Sequence, residues 1–322
     1  MKIILEKEQK TTKHSFFCKL KEGTKKVEIM NAADSPYKKG WIDYAPFESV
    51  DGKTWKRLKP GYYDGKTFSF SVSRNAKYAC WFPNYDIEKM QKFCTLFQEL
   101  GKNAFLLGNE EKPTIVLMAG QHPAETMGLY FLEGILRTVS SDKAFLDNFS
   151  LLVFPYVNKR GMQNGNHRLT PSGIDLNRDW ANPNNPLLNS IKEQISRFTN
   201  IYAIIDIHGD EVSQKDYVIY NRYFRNTPLA ECCAKQGFLL LKKQSTFKKF
   251  LKALIRQRKI VLPSGQTARD CFEKQHIPSI TIELSAKSNT PESCIQKGMN
   301  FLQEKTNRKY FSTKIKKTHF CK

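Results

Sequence analysis

A chain of 322 residues with 40% hydrophobic content can bury a sizeable core, which excludes a largely disordered protein. Its 52 Lys and Arg against 31 Asp and Glu leave a formal net charge of +21, a field that attracts nucleic acid, anionic membrane or acidic protein. The eight cysteines are scattered without a C-x-x-C pair, which excludes a zinc ribbon and suits a reducing compartment better than a disulfide scaffold.

The opening "MKIILEKEQK" has only a three-residue apolar run, too little for a secretory core. No later run approaches the length of a membrane span, so the expectation is a soluble, cytoplasmic protein. From about 12 to 83 short alternating segments ("HSFFCKL", "KVEIMN", "TFSFSVS", "YACWFP") are separated by turn signals such as "KEGT" and "KPGYYDG". That spacing predicts a small all-β sandwich domain over 1–84. After Pro83 the pattern changes. Residues 86–100 predict a helix with Asp86 as its N-cap and Gly101 as its stop. Strands are predicted over 114–120, 149–157, 201–209 and 278–285, and helices over 125–139 and 187–199. The alternation predicts an α/β fold over 85–322, a sheet with helices on both faces.

Two basic stretches stand apart. "TFKKFLKALIRQRK" (246–259) predicts a helix whose basic face could touch an anionic membrane surface, although a core-packed helix with solvated lysines explains it more simply. The tail from 305 onward is also basic. Solvated lysines account for the charge as well as a polyanion partner does, and no recognisable nucleic-acid motif is present.

Three strand ends carry the chemistry. In an open α/β sheet, ligands bind at the carboxyl ends of strands. "TIVLMAG" delivers His122 there, with Glu125 opening the next helix, and "AIIDIHG" delivers His208 to the same edge. Alone, each is an ordinary turn or core histidine. Together, two imidazoles and a carboxylate are a three-ligand zinc set with one position left for water. "SITIELS" places Glu283 in a run of apolar and β-branched residues, where it is either a general base or a side chain turned to solvent on an edge strand. The loop "GNHRLTPSGIDLNRDW" adds Arg168, Asn177 and Arg178, and a guanidinium suits a carboxylate or an oxyanion.

In this order, "HPAE", "GNHR", "GIDLNRDW", "DIHGDE" and "TIEL" resemble the zinc metallocarboxypeptidases, most nearly the cytosolic carboxypeptidase (deglutamylase-type) branch. "GWIDYAPFESVDGKTWKRL" resembles a segment of that branch's leading β-domain, and the likeness spans roughly 35–290. The resemblance implies an α/β/α catalytic domain with a mixed sheet, one Zn2+ per chain held by His122, Glu125 and His208, and Glu283 as the general base. It also implies Arg168 as the oxyanion arginine, Asn177 and Arg178 as the clamp on the substrate's terminal carboxylate, and Asp175 as the group that orients His122. His167, His14 and His276 have no role in that scheme. Two departures are visible: the usual "NPDG" is "NKRG" (158–161), and Val261 stands near the place of an expected tyrosine. "GQTARD" resembles a segment whose arginine lines the pocket for the departing side chain, so Arg269 implies removal of C-terminal glutamate from acidic peptide or protein tails. Rival readings are a zinc amidohydrolase of the aspartoacylase or desuccinylase type and a basic polyanion-binding protein without catalysis.

Overall fold

The computed structural model describes residues 1–302 apart from 10, 102, 226 and 243–265. The predicted basic helix over 246–259, Val261 and the basic tail lie outside the described residues. Ten short strands come first: β1 (Lys2–Ile3), β2 (Lys7–Glu8), β3 (Thr11–Thr12), β4 (Phe17–Lys19), β5 (Lys26–Ile29), β6 (Phe47–Ser49), β7 (Lys56–Arg57), β8 (Tyr62–Tyr63), β9 (Phe68–Ser71) and β10 (Tyr78–Cys80). They form two four-stranded sheets, ordered β1-β5-β9-β8 and β4-β10-β6-β7, with β2 and β3 as a separate hairpin. Alternation puts Val27, Ile29, Phe68 and Phe70 inside. Trp41, Tyr44, Phe47 and Trp81 complete the aromatic core, with Tyr44 stacked on Trp81 at 3.5 Å and Trp41 set against Trp81 at 5.2 Å.

The α/β part is built on eight strands: β11 (Gln98–Gly101), β12 (Ala104–Leu107), β13 (Thr114–Ala119), β14 (Ser150–Phe154), β15 (Ile201–Asp210), β16 (Tyr217–Tyr220), β17 (Leu239–Lys242) and β18 (Ser279–Ser285). Their order is β11-β12-β14-β13-β15-β18-β16-β17. The middle four run parallel, while β12 and β16 join them antiparallel, so the sheet is mixed as expected. β13 and β14 are buried along their whole length, which is why they read as continuous apolar runs. One hydrophobic cluster runs without a break from the β-sheets at the N-terminus into the face of the α/β sheet that carries the helix Thr126–Val139.

One expectation is corrected. The helix predicted over 86–100 is only Ile87–Cys94, capped as predicted by the Asp86 carboxylate on the Glu88 amide at 2.9 Å. Gln98–Gly101 instead pairs with β12, because Gly101 and Asn103 take positive φ and turn the chain back onto the sheet edge. The strands β12, β16 and β17 had no place in the predicted pattern.

Two features set the frame of the site. Helix Thr126–Val139 crosses helix Pro291–Phe301 at Gly134 and Gly298. A Cβ on Gly134 would collide with the Ile295 carbonyl, and one on Gly298 with the Phe131 carbonyl. The N-terminal β region is also tied to the α/β part by polar contacts. The Arg57 guanidinium donates to the Asn289 and Ala286 carbonyls, and Lys287 donates to the Lys39 and Ile42 carbonyls at 3.0 and 2.7 Å. Glu8, itself buried, accepts the backbone N–H groups of His167, Arg168 and Leu169 at 2.9–3.2 Å. No helix of the described residues is long and apolar enough to cross a membrane.

Replacing Glu8 by Ala strands three amide donors, each costing about 1–3 kcal/mol when buried without a partner. Partial reorganisation of the loop limits the total to about 2–4 kcal/mol. Urea unfolding of the full chain measures it, and Glu8→Gln, which keeps one acceptor oxygen, retains part of the difference.

Candidate metal centre and active site

The chain leaves β13 through Gly120, whose φ of +70° favours glycine and turns Gln121 and His122 across the carboxyl end of the sheet. Glu125 stands at the N-cap position of the next helix. β15, the parallel neighbour of β13, ends beside them with His208. The His122 Nδ1 lies 2.5 Å from Glu125 Oε1, His208 Nδ1 lies 2.7 Å from Glu125 Oε2, and the two Nδ1 atoms are 3.2 Å apart. All three residues are buried, and one ligand atom from each falls within 4.8 Å of the others.

The outer nitrogens are held by carboxylates: His122 Nε2 faces Asp175 at 3.1 Å, and His208 Nε2 faces Asp206 at 3.1 Å. A carboxylate on Nε2 keeps the proton there and leaves Nδ1 as the lone-pair atom, the arrangement that orients metal-binding imidazoles. Gln121 donates to the other Asp206 oxygen at 2.7 Å and is itself fixed by Trp180 Nε1 at 2.9 Å. The donor set and its supports therefore fit a divalent ion of the zinc type.

The electrostatics follow from burial and neighbours. Burial works to raise the Glu125 carboxyl, but the two imidazoles outweigh it and hold the group well below its ordinary range. Burial opposes charge on His208, yet Asp206 and Glu125 hold its imidazole well above the ordinary value. Glu283 sits on β18 directly beside His208 in the parallel register, so the two side chains share one face. Burial pushes its carboxyl up to about 8; His208 pulls against that, while Glu125, Asp210 and Asp206 add to it. Tyr217 of β16 is next in the same row and donates to Asp210 at 2.6 Å.

The loop residues divide. Arg168 Nε donates to Asp175 at 2.8 Å, its Nη1 donates to the Tyr37 hydroxyl at 2.7 Å, and the same Nη1 lies 3.9 Å from Glu125. Asp175 thus joins His122 to Arg168. Arg178 is exposed, with Nη1 on the Asn177 carbonyl at 2.7 Å. Asn177 itself is buried; its amide nitrogen lies 3.2 Å from His208 Nε2 and its oxygen accepts the Ala268 amide. Asn177 thus touches the zinc-type centre directly while Arg178 beside it stays exposed. Arg269, on the short helix Ala268–Glu273, is buried and donates to Thr281 at 2.8 Å, two residues before Glu283 on β18. Its Nη2 lies 3.6 Å from Asp270, and among the described residues its buried Nε has no partner. In the altered turn "NKRG", Asn158 caps its own Gly161 amide at 3.0 Å and donates to the Leu169 carbonyl at 3.1 Å.

His167 and His14 are more than loop residues. Both are buried: His167 Nδ1 meets Ser15 Oγ at 3.2 Å and its Nε2 lies 3.5 Å from Glu211, while His14 packs on Trp41 and Trp81 and meets Ser35 Oγ at 3.0 Å. Burial drives the Glu211 carboxyl well above its ordinary range, with Glu125 adding to it. Sequence reasoning missed Asp206, Gln121, Glu8, Tyr37 and Glu211. Only Asp206 carried a signal, since it lies two residues before His208 on a strand and so on the same face.

Residues 2–85 match the family model of the cytosolic carboxypeptidase N-terminal domain, and residues 72–199 match that of zinc carboxypeptidase. Over residues 72–199 the chain is similar to the zinc carboxypeptidases, and over residues 2–85 to the leading domain of the cytosolic carboxypeptidases. It is 27% identical over 214 residues to an uncharacterized protein of Zymomonas mobilis, covering 59% of this chain and 56% of that one. It is 38% identical over 77 residues to cytosolic carboxypeptidase 1 of Gallus gallus, which is 23% of this chain and 6% of that protein. The chain thus spans little more than half of the first relative and a small part of the second. In fold it resembles a metallo-carboxypeptidase from Burkholderia cenocepacia, with a TM-score of 0.77 at 20% identity over 94% of this chain and 90% of that one.

The buried histidines make acid stability testable. Burial pushes His167 down to about 3 and His14 well below its ordinary value. Folded-state depression means their stabilisation is complete above the unfolded value near 6.5 and is lost as pH falls below it, for His167 down to about 3, at about 1.4 kcal/mol per pH unit for each ring. His14→Gln is expected to remove close to one proton's worth of the stability slope between pH 6 and 5, read from denaturant melts at each pH.

Proposed function

We propose that this chain is a zinc-dependent carboxypeptidase that removes C-terminal residues, glutamate foremost, from acidic peptide or protein tails. The observation that carries the reading is the row formed by His208 and Glu283 on adjacent parallel strands, set against His122 and Glu125. His122, Glu125 and His208 would hold the ion. Zinc supplies a Lewis acid that polarises the scissile carbonyl and makes water acidic enough to react near neutral pH. Arg178, exposed and anchored on the Asn177 carbonyl, pairs with the terminal carboxylate of the substrate. Arg168, its charge reinforced by Asp175 and Glu125 against the cost of burial, faces the developing oxyanion. Glu283 takes the proton from the attacking water and hands it to the departing amine, and a carboxyl raised toward neutrality suits that exchange.

Arg269 gives the reading its specificity. A buried guanidinium bonded to Thr281, which shares a strand face with Glu283, and with one nitrogen unpartnered among the described residues, favours an acidic side chain beside the cleaved bond. The net charge of +21 gathers acidic tails in the same sense. The seven cysteines in the described part are free thiols, which supports a cytoplasmic setting.

Peptides ending in Glu are expected to turn over faster than those ending in Phe or Lys, by about a hundredfold if a buried ion pair of 2–3 kcal/mol decides the choice. Arg269→Ala is expected to erase that preference, and a preference for Phe or Lys in the parent chain sinks the acidic pocket. Chelation is expected to abolish hydrolysis and zinc to restore it. Glu283→Gln is expected to lower kcat by about 10²–10⁴-fold while metal content, read by atomic absorption, stays at one per chain.

A further inference from the structure

The contact between Tyr37 and Arg168 joins the N-terminal β region to the catalytic chemistry, and the functional reading above does not use it. Tyr37 lies on the segment that leads into a 3₁₀ turn at Lys38–Trp41. That turn is anchored by Trp41, which is fully buried and donates through Nε1 to the Ala32 carbonyl at 3.0 Å and to Ser35 Oγ at 2.9 Å. The Tyr37 ring packs edge-on to His14 at 5.7 Å and lies 6.0 Å from His167. Its hydroxyl is therefore held in place before any substrate arrives. Burial and the nearby Glu211 push the phenol well above its ordinary range, so it stays neutral.

Arg168 has the opposite problem. It sits on a loop, and an arginine side chain carries about 2 kcal/mol of rotamer entropy. Three contacts remove that freedom. Glu8 grips the backbone amides of residues 167–169, Asp175 takes Nε, and Tyr37 takes Nη1. Glu8 and Tyr37 both come from the N-terminal β region. Among the described residues Nη2 has no hydrogen-bond partner, so that nitrogen is left to meet a substrate. Asp175 alone anchors the guanidinium at Nε and leaves its plane free to tilt about that contact; the Tyr37 hydroxyl on Nη1 is a second anchor that fixes the tilt and also slows exchange of the two Nη groups about the Nε–Cζ bond.

We propose that Tyr37 is a positioning residue for the hydrolysis: it fixes the plane of the Arg168 guanidinium, so that the N-terminal β region is a working part of the active site. The inference rests on the proposed reaction for its kinetic consequence and on geometry alone for the contact. A positioned donor acts where charge develops, so its loss falls on the chemical step more than on substrate binding.

The test is a double-mutant cycle on the zinc-loaded full chain with a peptide ending in Glu. Tyr37→Phe is expected to lower kcat about tenfold with KM within about twofold, the effect of loosening one charge-assisted hydrogen bond. In an Arg168→Ala background the same substitution is expected to change nothing. An equal loss in both backgrounds, a loss confined to KM, or no loss in the parent overturns the inference. A second arm needs no activity. Guanidinium ¹⁵N spectra, with the Arg168 signals assigned by their loss in Arg168→Lys, are expected to show separate Nη resonances in the parent and a merged signal in Tyr37→Phe. Unchanged Nη signals overturn the inference even where kinetics agree. If the parent cleaves no peptide, the proposed reaction has failed and this arm still decides the contact.

Discussion

The Glu125 carboxylate lies between two imidazoles in a place with almost no water, and the rest of the site is arranged around that contact. A buried carboxylate without partners is costly, so Glu125 is stable there only with His122 and His208 both present. Each imidazole in turn needs a second carboxylate on its far nitrogen to fix its orientation, which brings in Asp175 and Asp206. Asp175 then has a charge to spare for Arg168, and Arg168 reaches Tyr37. The sequence of contacts runs outward from one buried anion to the surface of the N-terminal sheets. Removing a link near the centre leaves a charge without a partner; removing one near the rim loosens an angle.

How much of this could be read from the residues depends on how each group is placed. His122, Glu125, His208 and Glu283 were legible because each sits at or near the end of an apolar strand, and strand ends in such sheets lie on one edge. Their neighbourhood was legible for the same reason: a parallel register puts His208 beside Glu283 without help from any side chain. The groups from the N-terminal sheets were not. Tyr37 and Glu8 lie more than a hundred residues from the loop they hold, and nothing in "DSPYKKG" or "KEQK" marks them. His14 and His167 looked like solvated loop residues because local polarity around them says nothing about which sheet will cover them.

The over-long helix has a different cause. Phe97 keeps the helical spacing of Ile87, Met90, Phe93 and Cys94, and it is buried as that spacing implies. Its partners are reached by a chain that has already left the helix after Cys94 and is turning to pair along the sheet edge. Periodicity reports which residues go inside; it does not report the backbone that takes them there. The short strands β16 and β17 escaped notice similarly, since four residues carry too little alternation to separate from a loop.

The crossing at Gly134 and Gly298 bears on the two acids of the site. One helix follows Glu125 directly, and the other follows the strand that bears Glu283. Bare backbone meets bare backbone where they touch, with no room for even a methyl group on either side. The closeness of the two helices is thereby gauged from inside the molecule, and any side chain at either glycine forces them apart. The two helices behind the site thus owe their approach to two residues that have no side chain at all.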